Sequence, residues 1–160
     1  MKIVKIVSED EVWIHWKKVE GHISDQFRWD IRGRLPDDIQ WYLAEIEEED
    51  IEKIFIISSD DWRAITRTFR VIDSVNSLYQ GIIDEKTDNI LRKKALYEKD
   101  LDALDRKFIL VSPSIEGNFT IIEGNKRVVA LHSINRLIGN RIYLGISKKI
   151  IDYVWARYSR

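Results

Sequence analysis

The chain has 160 residues, 44% of them apolar and 33% charged, with six Trp and no Cys. That size suffices for one domain with a proper core, and the aromatic content excludes a disordered chain; without Cys there is no disulfide framework, thiol nucleophile, Cys-ligated zinc or iron–sulfur cluster. The net charge of −1 hides an asymmetry, because residues 126–160 carry eight Lys/Arg against Asp152 alone and ten acids between Asp37 and Asp61 face only Lys53.

Met1–Val7 meets Ser8-Glu9-Asp10-Glu11 at once and offers no small-residue cleavage site, so it reads as a first strand rather than a signal peptide. The apolar runs Ile54–Ile57 and Phe108–Val111 are too short to span a bilayer, and the expected compartment is the cytoplasm. In Glu11–Val19, Val12, Ile14 and Trp16 alternate with Trp13, His15 and Lys17, a period of two that predicts a strand in hairpin with Lys2–Val7. Residues 20–36 are ambiguous, with Phe27, Trp29 and Ile31 alternating as a short strand would. Pro36-Asp37-Asp38 marks a helix start, and Ile39, Leu43 and Ile46 predict a helix over 37–49. Lys53–Ser58 predicts a strand. Ser59-Asp60-Asp61 opens a predicted helix bearing Trp62, Ile65, Phe69, Ile72 and Tyr79, capped by Gly81. A further helix runs from about Asp88 to Asp105 with Leu91, Ala95, Leu101 and Leu104.

In the last third, Lys107–Val111 predicts a strand stopped by Pro113, Glu116-Gly117-Asn118 a turn, and Phe119–Glu123 a second strand. Gly124-Asn125 turns the chain with Asn125 as N-cap, Lys126–Ile138 is helical up to Gly139, Arg141–Ile146 is a third strand, and Ser147 caps a final helix with Ile150, Val154 and Tyr158. The fold class is α+β. No linker or repeat divides the chain, so 1–160 reads as a single domain, with 1–58 an N-terminal αβ extension added to 59–160.

The chemistry-bearing segment is Ile121-Ile122-Glu123-Gly124-Asn125-Lys126-Arg127-Val128-Val129-Ala130-Leu131. An apolar strand ends in an acid, a glycine turns the backbone, and a helix begins with two cations. Cations at a helix N-terminus have the wrong sign for the dipole, at a cost of roughly 0.3–1 kcal/mol each. An anion in the turn removes that cost and meets backbone N–H groups and two cationic side chains together. The alternative is an ordinary strand–turn–helix whose Lys126 and Arg127 side chains extend into water.

Phe119–Leu131 resembles the signature of the ParB/sulfiredoxin superfamily, in which a strand ends in a Gly-x-x-Arg turn, often behind an acid, and a helix follows. The order of the neighbouring strands extends the resemblance over about residues 105–150. It implies a ParB/sulfiredoxin-like core, a small mixed sheet with packed helices, and a nucleotide-phosphate site at Gly124, Asn125, Lys126 and Arg127. Sulfiredoxins place a catalytic Cys where Asn125 stands, so their chemistry is excluded. The free-amino-acid kinases of the family carry an acid before the Gly and a His after it; here these positions hold Glu123 and Asn125, and Lys126 replaces the usual middle His. Partition proteins bind CTP through a Gly-x-Arg-Arg version and read DNA with a following helix-turn-helix region. Only the short segment to Arg160 follows here, and site-specific DNA binding is not expected.

The resemblance implies a Mg²⁺-dependent kinase or NTPase acting on ATP, ADP or CTP, with Glu123 as the catalytic carboxylate. Two alternatives stand beside it: a non-catalytic regulatory module with a degenerate site and a protein partner for the Trp-rich N-terminal part, and a nucleic-acid-binding protein or nuclease using the basic C-terminal part. His15, His22 and His132 show no zinc spacing, and neither a P-loop nor a Gly-x-Ser-x-Gly element is present.

Overall fold

The computed structural model of the chain describes residues 1–20, 31–63, 65–78 and 84–159. Six strands form one mixed sheet: β1 (Lys2–Ile6), β2 (Gln40–Glu45), β3 (Ile54–Phe55), β4 (Phe108–Ser112), β5 (Phe119–Glu123) and β6 (Arg141–Ile146), in the order β1-β2-β6-β4-β5-β3. The β1/β2, β2/β6 and β4/β5 pairs are antiparallel, whereas β4/β6 and β3/β5 are parallel. Four helices accompany the sheet among the described elements: α1 (Glu9–Glu20), α2 (Val71–Leu78), α3 (Glu85–Lys99) and α4 (Asn125–Ser133). All five residues of β4 and all five of β5 are buried, because both faces of the sheet centre are covered. That double cover is why these strands are nearly continuous apolar runs rather than alternating ones.

From Phe108 to Ile146 the chain folds as its sequence predicts at the level of elements. Strands 108–112, 119–123 and 141–146 share the sheet, and Val128, Val129 and Leu131 of α4 are buried. The helix is shorter than the expected 126–138. It ends at Ser133, with Asn135 at φ 55° and the Arg136 N–H donating to the Leu131 carbonyl at 2.9 Å, a left-handed helix stop. Asn125 is not the cap. Gly124 occupies that position, and Asn125 is the first helical residue. The region after Ser147 is two 3₁₀ turns, Lys148–Asp152 and Val154–Ala156, instead of one helix.

Several N-terminal expectations are overturned. Residues 11–19 are helical, not a strand: Val12, Trp13, His15 and Trp16 are buried while Ile14, Lys17 and Lys18 are exposed, a helical period. The Ser8 Oγ accepts from the Glu11 N–H at 3.2 Å, and acids in the first turn with Lys17 and Lys18 in the last suit the dipole. Trp13 meets Trp41 edge-on at 5.7 Å and His15 lies 5.2 Å from the Tyr143 ring, so α1 covers the β2–β6 face. The expected helix 37–49 is β2 followed by a 3₁₀ turn at Glu48–Lys53, because pairing with both β1 and β6 satisfies its backbone. Trp41 lies directly on Gly145, where a Cβ would come within 2.8 Å of the indole.

The expected strand 53–58 shrinks to Ile54–Phe55, since the Ile57 and Ser58 N–H groups leave the sheet for Asn125 Oδ1 and the Trp155 carbonyl. The helix expected from Ser59 is a 3₁₀ turn at Asp60–Trp62, and α2 starts only at Val71. Phe69 at φ 60° and the Phe55–Arg70 bridge break the run. The helix expected from Asp88 starts at Glu85 with Asp84 as N-cap, and it buries Thr87, Ile90 and Tyr97, not Leu91 and Ala95. Phe27, Trp29, Tyr79, Gly81 and His22 lie outside the described residues; Ile31 is helical.

Candidate anion cleft at the start of α4

β5 carries Glu123 to the sheet edge, and Gly124 turns the chain into α4 at φ 94°. A Cβ on Gly124 would lie 2.6 Å from the Phe108 ring, so both conformation and space demand glycine. Glu123 and Arg127 lie four residues apart across the turn and are both buried. Arg127 Nη2 donates to Glu123 Oε1 at 2.6 Å and Oε2 at 2.7 Å. Arg127 Nη1 donates to the Asp105 carbonyl and lies 3.7 Å from Asp105 Oδ1, and the guanidinium sits 5.3 Å from the Phe108 ring centre. The Asp105 carbonyl also accepts from the Tyr97 hydroxyl at 3.1 Å. Asn125 Oδ1 accepts from the Ile57 N–H at 2.9 Å and ties the turn to the strand β3 region.

Glu123, Gly124, Asn125, Lys126 and Arg127 all line one cleft of about 1060 Å³. The structure thus brings every expected site residue to one place. It gives Arg127 and Asn125 internal partners, where the sequence suggested side chains directed at a ligand. Opposite α4 stands α3, which packs against it and presents Lys86, Asn89 and Lys93 to the same cleft. Sequence reasoning missed these residues. Positions 86, 89 and 93 share one helical face at i, i+3 and i+7, but that spacing does not say what the face meets.

The electrostatics of the two lysines differ. Lys86 Nζ contacts the Asp61 carboxylate, donates to the Asp61 carbonyl at 3.0 Å and lies 4.7 Å from the Trp62 ring centre, so its charge is matched. Lys93 makes no hydrogen bond or ion pair with the described residues. Burial first, then the charges of Arg127 and Lys126, push its ammonium below the usual lysine range, and Glu123 only partly opposes them. Arg157, also in the cleft lining, lies 3.4 Å from Asp60. Trp62 and Trp155 supply aromatic wall.

The basic C-terminal part does not form one face. Lys126, Arg127 and Arg157 turn to the cleft, whereas Lys149 lies 2.8 Å from Asp37 elsewhere. Among the described residues no three His, Cys, Asp or Glu side chains group as a metal site. No described helix is long and apolar enough to cross a membrane. No family model, no curated protein and no solved structure matches the chain.

Proposed function

We propose that the cleft between α3 and α4 binds a phosphate-bearing ligand, and that this ligand is a nucleotide, as the resemblance of Phe119–Leu131 suggests. The observation that carries the reading is the convergence of Lys93, Lys126 and Arg127 on one cavity, where burial first and then the charges of Arg127 and Lys126 disfavour the Lys93 ammonium. Like charges placed together in a partly buried site cost free energy that a bound anion returns. The first turn of α4 adds backbone donors and the positive end of its dipole.

Glu123 and Asp61 of the cleft are poorly placed to hold Mg²⁺. Both oxygens of Glu123 accept from Arg127, and Asp61 is engaged by Lys86 and Ser59. The buried Glu123–Arg127 pair favours a binding module over an enzyme, because a carboxylate saturated by a guanidinium is a poor general base. Its role in this reading is to hold the turn in shape while Lys126 and Lys93 meet the ligand.

A thermal-shift panel of ATP, ADP, CTP, GTP and inorganic phosphate tests this. Ligand at a hundredfold its dissociation constant adds roughly 2.7 kcal/mol of stability. Lys126→Ala is expected to weaken the preferred ligand by roughly 1.5–3 kcal/mol, the scale of a hydrogen bond to a charged group. The absence of any shift at millimolar nucleotide and phosphate would end the reading.

A further inference from the structure

We propose that His15 is a positioning residue that tunes the α3–α4 cleft by proton uptake: its imidazolium competes with Arg127 for the Asp105 carboxylate and so strengthens anion binding at the α4 turn. The inference rests on the anion-binding reading above and adds its regulation. His15 is buried one helical turn before Lys18 and Val19, the residues through which α1 reaches the cleft. Its Nε2 lies 3.2 Å from the Lys107 carbonyl and 3.9 Å from Asp105 Oδ1. A carbonyl only accepts, so Nε2 carries the hydrogen and a further proton goes to Nδ1.

Asp105 is shared. Arg127 Nη1 lies 3.7 Å from the same Oδ1 and donates to the Asp105 carbonyl, which also accepts from the Tyr97 hydroxyl. This residue of the cleft wall therefore joins α1, α3 and α4. With His15 neutral, the Glu123 and Asp105 carboxylates both draw on the Arg127 guanidinium, which leaves negative charge in excess beside the turn. A proton on His15 cancels that excess and weakens the hold of Asp105 on Arg127. Both changes favour an anion.

The described groups around His15 fix the sign of the coupling. Burial opposes its proton most; the Asp105 carboxylate and the Lys107 carbonyl favour it, and the Lys107 and Arg127 charges oppose it. On the β6 side stands Tyr143, whose ring centre is 5.2 Å away and whose hydroxyl donates to Glu11 of α1 at 3.2 Å. That phenol is pushed up to about 12 and stays neutral. An anion against Arg127 offsets one of the opposing charges, so the bound ligand must favour the His15 proton by the same factor by which that proton favours the ligand.

The test titrates the full chain with sulfate, which keeps its charge over the range, from pH 7.5 to 5.0, beside inorganic phosphate at pH 7.5. Sulfate affinity should rise as His15 titrates, by about fivefold in all, the lower end of the usual coupling between sites. His15→Gln stays uncharged and keeps a donor for the Lys107 carbonyl; it should bind sulfate like the wild type at pH 7.5 and lose the rise. In the wild type, saturating sulfate should lift the His15 midpoint, followed by imidazole NMR, by about 0.7 of a pH unit, the same fivefold factor. A rise that persists in His15→Gln assigns the effect to another group, such as Lys93, and overturns the proposal, as does a His15 midpoint that sulfate leaves in place. If phosphate binds while sulfate binding is absent or flat with pH, the coupling is wrong and the anion site stands. If neither anion binds, the anion-binding reading fails, and this proposal with it.

Discussion

Removing the Arg127 guanidinium leaves Glu123 buried with both carboxylate oxygens deprived of the Arg127 donor. Breaking a buried pair from one side typically costs about 3–5 kcal/mol, so Arg127→Ala should lower stability on that scale in urea unfolding. Glu123→Gln keeps an acceptor for Arg127 and should cost less, about 1–3 kcal/mol, with nucleotide affinity nearly intact. A nucleotide affinity lost in Glu123→Gln at unchanged stability would mean that Glu123 itself touches the ligand. A second residue-scale effect concerns the histidines. Burial holds His15 below its ordinary value of 6.5 despite the nearby Asp105 carboxylate, and burial does the same to His132. Groups with depressed native values are neutral in the fold yet take up protons in the unfolded chain, so the stability they hold above pH 6.5 is lost as pH falls below it. Urea midpoints at pH 7.5 and 5.5 should show the decrease in a window above the range where carboxylates titrate; an unchanged midpoint would contradict the burial argument.

At the scale of the element, the strand–turn–helix hinge depends on Gly124. An alanine there meets a left-handed backbone, worth roughly 1–2 kcal/mol, and a Phe108 ring too close for its Cβ, with overpacking worth typically 1–3 kcal/mol. Gly124→Ala should therefore destabilise by about 2–5 kcal/mol in denaturant unfolding; a loss of only about 1–2 kcal/mol would mean the ring yields, and a neutral result would contradict the backbone argument. Asp84, the N-cap of α3, accepts from the Thr87 N–H at 2.6 Å, and that bond holds its carboxyl below the ordinary 3.8. Asp84→Ala should cost roughly 1 kcal/mol at neutral pH, a difference that fades as pH falls through the depressed native value. The elements of the last third were legible in the sequence because Pro113, Gly117, Gly124 and Gly139 separate them and each strand is short and apolar. α1 was not, because Val12, Ile14 and Trp16 satisfy a period of two as well as Val12, Trp13 and Trp16 satisfy 3.6 over so short a window. β2 escaped notice because its pairing with β1 and β6 overrides a local helical pattern. The turn of the candidate site was readable from Glu123 to Arg127. Its opposite wall on α3 was not, since nothing local says which helix face a distant element will meet.

At the scale of the molecule, β1 and β2 extend the sheet from the flank of β6, and β2 pairs with β6 over six residues. β1, β2 and β3 thus complete the sheet, and α1 covers it. A truncation to residues 59–160 would expose the β6 edge and the apolar face under Trp41, a bare strand edge prone to association. We expect that fragment to lack cooperative unfolding by circular dichroism, whereas a sharp transition would show that the last hundred residues fold alone. The same architecture positions the cleft, because β5 delivers the turn, β4 supplies Phe108 beneath it, and α3 closes the opposite wall. The measurement that bears most directly on the central claim is a titration of the ¹⁵N-labelled protein with ATP, CTP and inorganic phosphate, followed amide by amide. Saturable shifts are expected at Gly124–Arg127 and around Lys93, weakened in Lys126→Ala. Spectra unchanged at millimolar ligand, or shifts confined to residues away from the cleft, would contradict it.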